Sequence, residues 1–365
     1  MVATLRFLRR YLRPDSAATT AEEVVYARGG DLLAGTVYRP AGTRRSLPAW
    51  TVLHGLTRTG REHPSLVRFA RAVAGAGHVV FVPEIPEWRA LRVNAAVTVP
   101  TIAAAVRSLQ ARDDVRHEHV GLFGFSFGAT QGLVAAAQPD TARLLTGMAA
   151  WGGYCDLHRL FRFGLTGLHE IDGVTYRTRP DPYGAWIIAG NYLPRVPGFG
   201  DAADVADAVM ALATEAGDRG LYAWEPVFDE SKRRLRSGLP TDRRELFDLL
   251  APLTTVPPPD DSPLLELSDA LADTVLRIDP LMRARDYLPS VGVPVVFAHG
   301  RDDRLIPFSE TMRLARATPR ERVRSVTITS LFQHSGGTAN RLGAMGMARE
   351  GARFLLLLRR VLGLV

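Results

Sequence analysis

Gly124-Phe125-Ser126-Phe127-Gly128 sets a serine between glycines two positions before and after it. A short apolar run at 120–123 precedes it with strand character, and a small-residue stretch suited to a helix follows at once. A strand that turns straight into a helix strains the backbone at the turn, and side chains at the flanking glycines would collide with neighbouring backbone. The chemistry on offer is nucleophilic. The turn holds the Ser126 hydroxyl out at the carboxyl edge of a sheet, and the helix N-terminus beneath it supplies N–H groups for a developing oxyanion. Such a serine needs a base and an acid that orients the base, and on a strand–elbow–helix turn of this kind the three follow in the order serine, acid, histidine. Segment 294–307 has an apolar, strand-like run at 295–298 that opens into an acidic loop with Asp302 and Asp303. Of the nine histidines only His334 lies beyond that loop, after a β-rich run at 323–329. Both candidates thus sit past the carboxyl ends of strands, where open α/β sheets place their sites. Asp303, which precedes Arg304-Leu305-Ile306-Pro307, is expected to face back toward His334. Asp302 is the alternative, and otherwise a solvated or turn-capping carboxylate.

The elements that must position these groups follow from periodicity. Runs at 22–27 and 32–38 flank Arg28-Gly29-Gly30-Asp31 and read as an antiparallel hairpin. A strand at 49–53 leads into His54-Gly55, a helix at 63–76 precedes a strand at 79–82, and 99–110 is helical before the nucleophile strand. A further strand is expected at 144–150. Strands alternating with helices imply a mostly parallel sheet covered on both faces. Far more chain separates Ser126 from Asp303 than the elbow helix and one further βα unit need, about 60 residues at ~30 per unit. The surplus, roughly 155–285, holds Trp186 and Trp224, with helical patterns at 202–216, 242–250 and 264–279 and a proline-rich joint at 256–261.

These pieces resemble the α/β-hydrolases: the Ser126 elbow, the segment 299–307, His334, and segment 52–60 with His54-Gly55 after an early strand. The resemblance covers roughly 22–154 and 286–362. It implies the α/β-hydrolase fold, a mostly parallel sheet with an N-terminal antiparallel hairpin and helices on both faces. The core would be 22–154 and 286–365, preceded by an amphipathic helix and linker at 1–21. Segment 155–285 would form a mainly helical cap over the site; a peripheral ornament or an oligomer contact is the alternative. The resemblance also implies that backbone N–H groups of Leu56 and Phe127 form the oxyanion hole, and that His54 is structural, bonding the loop that shapes it. The expected chemistry is acyl transfer through Ser126, His334 and Asp303 on a small-molecule acyl substrate, with no cofactor. A carboxylic ester is the first choice; acyltransferase, thioesterase, peptidase and a catalytically silent binding module are the alternatives. Trp186, beside Ile187 and Ile188, is the first candidate to contact substrate.

Composition sets bounds. The net charge of +7 is nearly all arginine, with Lys232 the sole lysine, and the arginines are scattered without a nucleic-acid-binding signature. No nucleic acid partner is expected. No apolar run approaches the roughly 20 residues of a transmembrane helix. Arginines at 6, 9, 10 and 13 interrupt the N-terminus, unlike a signal peptide, and Cys155 is the sole cysteine, so a cytoplasmic place is expected. At about 100° per residue, Met1, Leu5, Leu8 and Leu12 share one side of a helix and those arginines the other. Such a helix either lies through residues 1–14 on an anionic membrane surface or packs its leucines on the protein's own core. His117, Glu118 and His119 have metal-ligand types but run into a buried strand with no second cluster, so no metal is expected. Glu84, at a strand's end, either lines the pocket or caps a turn. The run 354–358 reads as a helix packed on the sheet. Oligomeric state leaves no trace in the sequence.

Overall fold

The strand-like runs at 49–53, 79–82, 120–123 and 295–298 carry almost no polar face, which in a sheet means that both sides are covered. The computed structural model describes residues 2–14, 16–256, 261–331 and 343–365. Among these, the strands are β1 (Thr19–Arg28), β2 (Asp31–Pro40), β3 (Leu47–Leu53), β4 (Val79–Pro83), β5 (Val115–Phe125), β6 (Gly147–Trp151), β7 (Leu168–Ile171), β8 (Val174–Arg177), β9 (Val295–Gly300) and β10 (Val323–Thr329). Eight of them form one sheet in the order β1-β2-β4-β3-β5-β6-β9-β10, and β7 and β8 form a separate hairpin. β2 runs antiparallel to β1 and β4, while every pair from β4 to β10 is parallel.

Alternation along the strands divides the core in two. Ala49, Val79, Phe81, Leu122, Val295 and Phe297 point to one face. Trp50, Val80, Val82, Phe123, Val296 and Ala298 point to the other. On the first face lie the helices Ala95–Gln110 and Phe127–Ala136. Asn94 caps the former by accepting from Val97 N–H, and buried Asp279 accepts from the amides of Ala95 and Ala96. On the second face lie Val2–Leu12, Pro64–Gly75 and Ala344–Leu362.

Between β6 and β9 the chain leaves the sheet. The helices here include Leu157–Thr166, Tyr183–Tyr192, Ala203–Arg219, Asp229–Ser237, Arg244–Leu250 and Asp261–Ile278. The expected helices at 202–216, 242–250 and 264–279 fall among them. The β7–β8 hairpin was not expected; its turn is Asp172-Gly173, both at positive φ (54° and 75°), as a two-residue hairpin turn requires. The strand expected at 144–150 begins only at Gly147, because a short helix, Pro139–Ala142, takes up the preceding chain.

The N-terminal helix buries chiefly a different side from its leucine stripe, of whose described residues Leu8 alone packs partly against the core. Thr4 and Phe7 face inward; Phe7 is 1% exposed and meets the Phe69 ring edge-on at 5.6 Å. Arg68 donates to the Tyr11 carbonyl at 2.7 Å and lies over the Tyr11 ring at 4.5 Å. Leu5 and Leu12 remain 58% and 69% exposed. The aromatic rings win the inward side because each buries more apolar surface than a leucine. Phe7→Ala should therefore lower stability by about 3–5 kcal/mol in urea denaturation, whereas Leu5→Ser should change it by no more than about 0.5 kcal/mol.

Candidate active site

The turn from β5 into the helix Phe127–Ala136 holds Ser126 at φ 55°, ψ −128°. Its N–H donates to the Trp151 carbonyl on β6 at 2.8 Å, and its carbonyl accepts from Ala129 N–H at 2.9 Å. Both flanking glycines are required by space. A Cβ on Gly124 would stand 2.3 Å from the Gly128 carbonyl oxygen, and one on Gly128 2.3 Å from that of His54. The first amides of the helix have no intrahelical acceptor. Leu56 and Phe127 both line the cavity into which Ser126 opens. Gly55 abuts the serine, so that a Cβ there would lie 3.1 Å from Ser126 Cβ and 3.4 Å from its Oγ.

His54 orients the loop between. The ring is fully buried, and burial pushes its pKa down to about 4, which keeps the imidazole neutral. Nε2 accepts from Ile85 N–H at 3.3 Å, so the proton sits on Nδ1, which donates to the Gly55 carbonyl at 2.7 Å. A trans peptide points its C=O and N–H in opposite directions. Fixing the Gly55 carbonyl therefore fixes where the Leu56 N–H points. Glu84 is buried behind this loop with Arg61 and Arg89, 3.6 Å from His54 Nε2, and burial raises its carboxyl pKa against the pull of both guanidiniums.

At the end of β9 the two adjacent acids part. Asp302 is exposed, while Asp303 is 3% exposed and accepts from Leu305 and Ile306 N–H at 2.9 and 3.1 Å. His299 braces the same loop: Nε2 donates to the Ile306 carbonyl at 2.8 Å, and Nδ1 lies 2.7 Å from Thr311 Oγ1. β10 pairs beside β9, with Thr329 opposite Gly300. Arg301 N–H donates to the Thr329 carbonyl at 2.8 Å. Glu350, from the terminal helix, accepts from Thr329 Oγ1 at 2.7 Å and Ser330 N–H at 3.1 Å. The chain leaving β10 thus starts beside the Asp303 loop. His334 itself lies outside the described residues.

The cavity at Ser126 is apolar, walled by Leu56, Phe127 and Tyr154 from the sheet side and by Leu160, Phe161 and Leu165 from the helix Leu157–Thr166. Tyr154 is anchored through its backbone, which exchanges two 2.8 Å hydrogen bonds with Thr130 Oγ1. Ile187 and Ile188 also line the cavity. Trp186 does not. It is buried inside the inserted segment, donates from Nε1 to the Leu250 carbonyl at 2.9 Å and borders a neighbouring cavity, because its helix turns that position toward Phe228 and Lys232. The expected place of Trp186 beside the Ser126 cavity is thus taken by its two neighbours.

One wall residue gave no functional signal in the sequence. Asp181, 4% exposed, lines the cavity and accepts from Tyr183 N–H at 3.0 Å. Burial pushes its pKa up to about 6, opposed by backbone hydrogen bonds and by Arg304. It stands one residue before the N-cap, Pro182, and only tertiary packing makes it a pocket wall.

No family model and no curated protein matches the chain. Solved structures do. Brefeldin A esterase, a bacterial homologue of human hormone sensitive lipase, superposes with a TM-score of 0.50 at 17% identity over 96% of this chain and 77% of that one. 2,6-dihydroxy-pseudo-oxynicotine hydrolase gives 0.46 at 16% identity, over 97% and 73%. The acylaminoacyl peptidase of Pyrococcus horikoshii gives 0.49 at 11%, over 93% of this chain and 41% of that one. With the strand order above, the first of these establishes the α/β-hydrolase fold for this chain.

Asp181 yields a test with a definite sign. An acid whose folded pKa is raised, here from 3.8 to about 6, costs stability once it ionises, so stability falls as pH climbs from about 4 through 6. Asp181→Asn keeps the acceptor for Tyr183 and removes the charge, while giving up the hydrogen bond from Ala223 N–H. It should be more stable than the parent at neutral pH, by up to about 3 kcal/mol, with the difference vanishing toward about pH 4. Thermal melts across that range check it.

Proposed function

We propose that the chain is a serine hydrolase that cleaves a carboxylic ester of a small molecule through Ser126, His334 and Asp303. The observation that carries this reading is the strained Ser126 backbone, in a residue that lines an apolar cavity together with Leu56 and Phe127. Energy stored at one residue in this way is characteristic of sites where geometry matters more than stability. The burial of Asp303, against the exposure of Asp302, supports Asp303 as the acid.

In the proposed reaction His334 takes the Ser126 proton as Oγ attacks the ester carbonyl. Asp303 fixes the imidazole tautomer and stabilises the imidazolium. The Leu56 and Phe127 N–H groups stabilise the tetrahedral oxyanion, each contributing roughly 3 kcal/mol. His334 then protonates the departing alcohol, and water repeats the cycle on the acyl-enzyme. The inserted segment acts as a cap. Its Leu160, Phe161, Leu165, Ile187 and Ile188 make the acyl side of the site apolar, which favours uncharged, hydrophobic esters over polar acyl groups. No cofactor takes part in this scheme.

A fluorophosphonate probe should label the parent protein at Ser126 and leave folded Ser126→Ala unlabelled; a folded parent that resists labelling would overturn the enzyme reading in favour of a binding module. Against p-nitrophenyl esters, Asp303→Asn should lower kcat by roughly 10⁴, while Asp302→Asn stays close to the parent. Thioester and peptide substrates assayed beside the esters decide among the acyl-transfer chemistries.

A further inference from the structure

The second face of the sheet ends in a surface that the core leaves uncovered. On the helix Val2–Leu12, Val2, Leu5 and Leu12 face solvent, with Leu5 and Leu12 more than half exposed. Arg6, Arg9 and Arg13 stand among them. The terminal helix Ala344–Leu362 touches this helix and repeats the pattern. Leu355, Leu356, Arg359 and Arg360 form one exposed stripe at helical spacing. Both helices bury their opposite sides in the same cluster, Phe7 from one and Leu357, Leu358 and Val361 from the other. Their outward stripes therefore both point away from the sheet.

We propose that this two-helix face docks on an anionic lipid bilayer. Leucines left in water beside guanidiniums are a poor arrangement for a free surface and a good one for the boundary between headgroups and acyl chains, where an amphipathic helix buries its apolar side roughly 5–10 Å deep. None of Arg6, Arg9, Arg13, Arg359 and Arg360 is in an ion pair among the described residues. The one acid on the two described helices, Glu350, is turned inward onto Thr329, Ser330 and Arg353. A second copy of the chain would bring arginines against arginines across a symmetric contact, and a nucleic acid would leave the leucines unmatched. Phosphatidylserine-type headgroups over acyl chains satisfy both components. This surface lies apart from the Ser126 cavity, and the inference stands whether or not the hydrolase reading does.

Deleting the N-terminal helix would strip Phe7 from the core, so the test uses outward positions only. The full chain is mixed with phosphatidylcholine vesicles with and without phosphatidylserine, and sedimentation reads the bound fraction. Binding is expected only with the anionic lipid and should weaken steeply with salt. Arg6→Gln/Arg9→Gln should lower the partition coefficient about tenfold or more, and Leu5→Asp/Leu12→Asp should abolish binding, both with parental circular dichroism and melting. Failure of the folded parent to bind anionic vesicles at low salt would overturn the proposal. So would binding indifferent to the leucine changes, or a solution dimer that those changes dissociate.

Discussion

The amide of Ser126 donates to the Trp151 carbonyl at 2.8 Å from a backbone turned to φ 55°. A non-glycine residue in this region costs on the order of 1–3 kcal/mol. It persists because three strands converge on it. β6 supplies the acceptor, β5 supplies the approach, and β3 brings the His54 carbonyl into the space that Gly128 leaves empty. Move any one strand by a residue and the serine loses either its hydrogen bond or its clearance. The middle of the sheet is thus specified by the elbow as much as the elbow by the sheet.

Two buried histidines hold the loops on either side of that centre. His54, just past β3, ties down the Gly55 carbonyl; His299, within β9, ties down the Ile306 carbonyl. Each links one loop backbone to a second element, Ile85 in the first case and the Thr311 helix in the second. A buried imidazole suits this work because its two nitrogens lie on opposite sides of a rigid ring and can donate at one and accept at the other.

What could be read from the sequence was what depends on near neighbours. The elbow, the Asp303 loop and the strands around them carry their instructions within a few residues, and the β10 span matched at both ends. Asp172-Gly173 also carried a turn signal, but the strands it joins are too short and too exposed to show alternation. The phase of the Tyr183–Tyr192 helix was illegible for another reason. It is apolar on nearly every side, so the sequence could not say whether Trp186 or Ile187 would face the cavity. Asp181 carried no local sign of its place, because only tertiary packing brings it to the cavity wall. On the Val2–Leu12 helix the leucines formed the more regular stripe, yet ring area at Phe7 decided which side went inward.

β6 and β9 are neighbours in the sheet although a long inserted segment separates them in the chain, and their ladder runs on into the loops, with Met148 N–H on the Pro294 carbonyl and Gly152 N–H on that of Ala298. The pair is parallel, so the inserted chain leaves at the carboxyl end of β6 and returns at the amino end of β9, a fixed span of roughly one strand length, about 16 Å for five residues. The entropy of closing such a loop grows only logarithmically, by about 0.6 kcal/mol for each doubling of its length. The sheet is consequently almost indifferent to how much chain is threaded between these two strands. A lineage can lengthen, trim or exchange that segment while the strands carrying Ser126 and Asp303 keep their register, so the walls of the cavity can diverge far faster than its floor.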